Sequence, residues 1–111
     1  MLIRSETHAW SQVPDQVGCF AKDLVTSAQT GALSAHHLRV EPGAEFKAHA
    51  HDGKTELQHI TSGRGQMLVG GTWEDVATGD AVLAEPGVLH AIRNNGSDPL
   101  FLLCVFTPPL L

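Results

Sequence analysis

The sequence predicts an all-β protein, and three observations carry that prediction. Glycine, proline and asparagine punctuate the chain every several residues from Gly31 onward, at Pro42-Gly43, Gly53, Gly63, Gly70-Gly71, Gly79-Asp80, Pro86-Gly87 and Asn94-Asn95-Gly96. Such spacing is the rhythm of short strands joined by turns. After Gly31 no stretch is long enough, or carries apolar residues at the i, i+3, i+4 spacing, to read as a helix. Finally, 111 residues that are 42% hydrophobic and only 17% charged suit one packed core rather than a disordered chain.

Between the breaks, strands are expected at residues 32–41, 45–50, 56–61, 66–69, 73–76, 81–83, 90–93 and 100–106. Gly70-Gly71 fits a two-residue hairpin, because type I′ and II′ turns need positive φ, so 66–69 and 73–76 should pair antiparallel. Short strands at this spacing make either a sandwich or a closed barrel, and closure removes exposed edges. Residues 1–30 are less regular. Trp10, Val13, Val17, Phe20, Leu24 and Val25 supply apolar anchors around Pro14 and Gly18. They read as an extended N-terminal arm, with one strand near residues 17–24, belonging to the same domain as the body over 31–111.

A net charge of −5 without any Lys/Arg cluster argues against nucleic acid and anionic membrane surfaces as partners. No window approaches the ~20 apolar residues of a membrane span, and Arg4, Glu6 and His8 stand where a secretory signal would be apolar. The expectation is a cytoplasmic protein. Cys19 and Cys104 form no CxxC and have apolar neighbours, so both should be buried thiols. Trp10 and Val13 have little predicted structure to cover them, from which a homodimer is expected.

The chemistry concentrates between Gly43 and Gly63. His49 and His51 are separated by one residue, so on a strand they share one face and can both present a ring nitrogen to one ion. After Asp52-Gly53-Lys54-Thr55 reverses the chain, Glu56 opens the next strand and can return a carboxylate to the same point. His90, which follows Pro86-Gly87 and begins another strand, is the candidate fourth ligand. Three imidazoles and one carboxylate suit one divalent transition metal (Mn, Fe, Co, Ni, Cu or Zn) rather than Ca or Mg. Gln58, two residues after Glu56, should face the interior, where its amide could orient substrate or a metal-bound water. His59 should point away, and His8, His36 and His37 lack ligand spacing, which leaves them as surface or core histidines. Asn94 is expected to satisfy turn backbone, and Glu45 and Glu85 to be solvated. With no tyrosine in the chain, proton transfer must fall to Glu56, a histidine or metal-bound water.

The run Gly43, five residues, His49, one, His51, four, Glu56, six, Gly63 resembles the first cupin motif at every defined position. The run from Gly79-Asp80 through Gly87, His90 and Asn94 resembles the second, except that the motif's proline usually lies two residues before its glycine. That place is held here by Glu85, with Pro86 one position later. The resemblance covers Gly43 to Asn94 and implies a single small double-stranded β-helix, or jelly-roll barrel, with the metal in its mouth and coordination positions left for water, a small substrate or O₂. It implies a small metal-dependent enzyme acting on an oxygen-rich organic molecule. Oxygenase is the leading class, with lyase, decarboxylase and isomerase chemistry as the others that the fold hosts. The rival is a non-catalytic metal-bearing module that binds a small ligand, and turnover distinguishes the two. A purely structural zinc site is the weakest reading, because a barrel with its own core does not need four ligands to fold.

Overall fold

Short alternating segments can bury one face only by stacking sheet on sheet, and the computed structural model, which describes residues 1–111, shows that solution. One sheet has the order β1-β2-β3-β10-β5-β8, with β1 at Ser11–Gln12, β2 at Cys19–Val25, β3 at Ser34–Val40, β10 at Leu100–Thr107, β5 at Thr55–Ser62 and β8 at Ala81–Ala84. The other has the order β4-β9-β6-β7, with β4 at Glu45–His49, β9 at His90–Arg93, β6 at Arg64–Val69 and β7 at Thr72–Ala77. Every pairing is antiparallel. The only helical element is a single 3-10 turn at Ser5–Thr7, and no helix is long and apolar enough to cross a membrane.

Alternation explains the core. Leu100, Leu102, Cys104 and Phe106 of β10 point inward between half-buried neighbours, and the inward residues of β3 and β5 meet them. Cys19, Leu38, Val40, Ile60, Met67, Ile92, Leu100 and Leu102 are buried in one cluster with Cys104 and Phe106, which fills much of the space between the sheets with side chains. Cys19 and Cys104 are free and buried, as their apolar neighbours suggest. The hairpin β6–β7 closes through Gly70-Gly71 with Val69 opposite Thr72. Positive φ falls on Gly70 alone, which selects type II′ over type I′.

The extended arm expected over residues 1–30 is, from Ser11 on, largely built into the sheet. Cys19 pairs with Val40, Phe20 with Arg39 and Lys22 with His37, and β1 adds outside β2. The physical reason is that β3 would otherwise be an open edge, and a strand beginning with Cys19 and Phe20 satisfies its backbone. Trp10 is also half-covered by its own chain, with Phe101 at 6.2 Å and Lys22 Nζ and Arg39 Cζ each 5.0 Å from its ring centroid. Val13 packs against the core.

Gly63 is the corner at which the chain leaves one sheet for the other. Its φ is +96°, and a Cβ there would lie 2.8 Å from the Pro99 carbonyl oxygen and 3.3 Å from Leu100 Cα. Gly63→Ala should therefore cost about 3 kcal/mol, combining left-handed strain with overpacking against backbone that cannot move aside. Thermal unfolding should show a melting temperature roughly 10 °C lower. Gly71→Ala, in open space without positive φ, should leave the melting temperature nearly unchanged.

Candidate metal centre

Each of the four candidate ligands reaches the same point from a different local device. In β4 the register runs Phe46 opposite Ile92 and then His49 opposite His90, so three steps on one strand match two on the other. This bulge turns His49 inward beside Phe46, where strict alternation would have turned Ala48 inward. His51 stands two residues beyond, just outside the strand. Glu56 lies on β5 opposite Phe106, with the carboxylate on the inner face and the residue only 3% exposed. His90 opens β9 after Glu85-Pro86-Gly87-Val88. There Val88 N–H donates to the Glu85 carbonyl, and Gly87 takes φ +79°. Proline then glycine at the two central positions makes a type II turn, so the later proline is compatible with a well-formed turn before His90. Gly87 N–H also donates to the His51 carbonyl, tying the loops that carry His51 and His90 together.

The ligand atoms of His49, His51, Glu56 and His90 all lie within 4.8 Å of one another. His49 Nδ1 donates to the Lys47 carbonyl at 2.8 Å, and His90 Nδ1 to the Val88 carbonyl at 2.9 Å. Those bonds aim each Nε2 at the cluster; at His49 they leave its lone pair free, and at His90 Nε2 shares its proton with Glu56 until a metal takes its place. Glu56 Oε1 is 3.0 Å from His90 Nε2 and 3.6 Å from His51 Nε2. His51 Nε2 is buried with no hydrogen-bond partner. A buried orphan nitrogen beside a carboxylate and two further imidazoles is an arrangement that a divalent transition metal would resolve, so the residues fit such an ion.

Charge in the site is balanced unevenly. Burial lowers His49, partly offset by its bond to the Lys47 carbonyl. It lowers His51 too, against the opposing pull of Glu56. Burial also acts downward on His90, but the hydrogen bond with Glu56, the Val88 carbonyl and the Glu56 charge outweigh it and leave His90 raised. The Cys104 thiol is pushed well above its ordinary value by burial and then by Glu56, which keeps it protonated and unsuited to metal ligation.

Gln58 is buried on the same inner face. Its Nε2 donates to Glu56 Oε2 at 3.0 Å, and its Oε1 has no partner. His59 points out of the barrel with Leu57, as alternation requires. Asn94 serves the turn backbone, donating to the Val40 and Asp98 carbonyls and accepting from Gly96 N–H. His36 is the residue that spacing missed. It lines the same chamber and stacks on Phe106 with ring centroids 5.9 Å apart. Its alternation with Leu38 and Val40 could have revealed the inward face, but the adjacent His37 leaves that choice open in the sequence.

His49, His51 and Glu56 line a chamber of about 320 Å³, with His90 behind them and such residues as Leu38, Phe46, Ile92, Phe106 and Leu110 around the rest. That size falls in the range of small-molecule sites.

A family model described as Cupin domain matches residues 36–106, well over half of the chain. The oxalate-binding protein of Thermotoga maritima is 29% identical over 68 residues, 61% of this chain and 56% of that protein. L-ectoine synthase of Hyphomonas neptunium is 30% identical over 86 residues, 70% of this chain and 58% of that enzyme. The chain thus spans a little over half the length of each. A crystal structure from Thermotoga maritima, described as a predicted oxalate decarboxylase, superposes with a TM-score of 0.87 at 23% identity. It covers 97% of this chain and 99% of that one, and at this identity it shows the fold.

Because a metal needs neutral imidazoles, protons compete with it. Lowered values at His49 and His51 extend loading toward acid, whereas the raised value at His90 makes acidification felt there first. Metal content after removal of free ion should be highest near about pH 8 and fall steadily through about pH 6. His51→Ala should lose most of the metal at either pH. Occupancy that stayed constant down to about pH 4 would mean that other groups hold the ion.

Proposed function

This chain belongs to the cupin family, and from that premise we propose that it is a small metal-dependent enzyme acting on an oxygen-rich organic molecule, with oxygenase as the leading reaction class. The observation that carries the reading is the convergence of three imidazoles and a buried carboxylate beside a largely apolar chamber that His49, His51 and Glu56 line. His49, His51, Glu56 and His90 are the proposed ligands. A divalent transition metal held there supplies Lewis acidity, a lowered pKa for bound water, or one-electron chemistry.

The chain's own residues divide the remaining work. Glu56 is the proposed base, since a carboxylate can accept a proton from a substrate hydroxyl or water while still sharing an oxygen with its neighbours. Gln58, through Nε2 on Glu56 Oε2, fixes the carboxylate and presents an unpaired amide oxygen at 2% residue exposure. It is a positioning residue in this scheme. Phe106, Ile92 and Leu110 exclude water from the bound molecule. A second reading, a module that binds a small ligand without turning it over, draws on the Thermotoga relative named for binding oxalate.

We also propose that the chain acts as a homodimer, on an observation different from Trp10 and Val13. Outward-facing Val105, Leu57 and Leu83 lie side by side across β10, β5 and β8, with Leu57 and Leu83 exposed by 43% and 56%. An apolar row on a sheet face suits a symmetric partner. Light scattering should give twice the 11.8 kDa chain mass, and Leu57→Glu should shift the protein to monomer with the metal retained.

Glu56→Gln keeps shape and one oxygen donor but removes the charge. Metal should be retained at reduced affinity, and turnover of any accepted substrate should fall by ~10²-fold or more. Metal-loaded protein that consumed neither oxygen nor any bound compound from a broad panel would favour the binding module. Full metal and full activity in Glu56→Gln would remove Glu56 from both roles.

A further inference from the structure

The inner face of the larger sheet carries a polar row of which the metal reading uses only Gln58. Asp23 on β2 pairs with His36 on β3, His36 with Cys104 on β10, and Cys104 with Gln58 on β5. At the ~4.8 Å spacing of neighbouring strands, His36 therefore stands about 10 Å across the sheet from Gln58 and its neighbour Glu56. All four line the chamber. His49 and His90 have their rings tied to backbone carbonyls, whereas the ring of His36 makes no hydrogen bond within the protein and stacks on Phe106.

No lysine or arginine lines the chamber; its charged side chains are the carboxylates Asp23 and Glu56, with Asp23 exposed toward solvent. A bound molecule with a second negative group would meet these carboxylates and apolar walls, with no cation to pair it away from the metal. Burying such a charge unpaired is strongly unfavourable. A small dicarboxylate such as oxalate would also leave most of the roughly 320 Å³ beside Leu38, Phe46, Ile92 and Phe106 unfilled.

We infer, resting on the reading above, that the bound molecule turns one oxygen-bearing end to the His49, His51, Glu56 and His90 cluster and lays an uncharged, largely apolar body across the sheet, where His36 hydrogen-bonds it. Burial lowers His36 despite Glu56 and Asp23, so the ring is neutral and both donates and accepts. His36 is thus a specificity-determining residue, and Asp23 screens against anionic tails.

The test uses the zinc-loaded chain, since zinc is redox-inert, and measures binding by calorimetry with three catechols that share a chelating end and carry a tert-butyl, a hydroxymethyl or a carboxylate tail. Both uncharged compounds should bind at least about tenfold more tightly than the carboxylate one and than oxalate. His36→Leu should weaken the hydroxymethyl compound about fivefold or more while leaving the tert-butyl compound unchanged or tighter. Asp23→Lys, on an exposed position that tolerates change, should erase or reverse the preference against the carboxylate tail. If zinc loads and the carboxylate compound or oxalate binds as well as the others, or if no catechol binds, the inference is overturned while the metal centre stands. If zinc does not load on this cluster, the reading of the centre fails, and this inference fails with it.

Discussion

A carboxylate buried on the inner wall of a β-barrel is the constraint around which the rest of this protein is arranged. Glu56 sits in a strand whose other inward residues are Gln58 and Ile60, and an isolated buried charge there would cost several kcal/mol. It is tolerated because His90 Nε2 and Gln58 Nε2 each approach within 3.0 Å and His51 lies just beyond hydrogen-bond distance. Those partners come from β9, β5 and the loop after β4, so holding one charge requires both sheets to be in register. The same requirement brings the four candidate ligand atoms together.

The demand for partners divides the barrel along its strands. Going down the inner face of β10, Leu100, Leu102, Cys104 and Phe106 all belong to the apolar core, and the last two also face the chamber. On β3 the order runs from Val40 in the core through Leu38, which touches both, to His36 in the chamber, and on β5 from Ile60 to Gln58 and Glu56. One end thus supplies hydrophobic stability, and the other holds polar groups that packing alone would disfavour. Rigid support for the site comes from the packed half of the same strands.

Much of this was legible in the sequence because two signals repeat on every strand. Turn residues mark the ends, and period-2 alternation marks the faces, so the eight strands expected from residue 32 onward correspond to β3 through β10 with end shifts of one or two residues. His49, His51, Glu56 and His90 were legible from spacing and turn chemistry. Less legible were features that depend on pairing between distant segments. The bulge between Phe46 and His49 exists because Ile92 and His90 set the register from another strand, and nothing local to residues 45–50 announces it. The strand expected near residues 17–24 is β2 at Cys19–Val25, but its place beside β3 depends on the edge that β3 offers and was not legible. His36 escapes notice since neither its neighbour His37 nor its distance from the other histidines tells which face of the sheet it occupies.

The bulge also decides which nitrogen of His49 can work. It turns the ring inward, and there Nδ1 lies 2.8 Å from the Lys47 carbonyl two residues back, which fixes the tautomer. At His90 the turn through Pro86-Gly87 aims the ring through the Val88 carbonyl, and Gly87 in turn holds the His51 loop by its carbonyl. Backbone contacts on two separate segments therefore set the aim of His49 and His90. This is why the glycines and the bulge matter to the chemistry, although none of them touches the site.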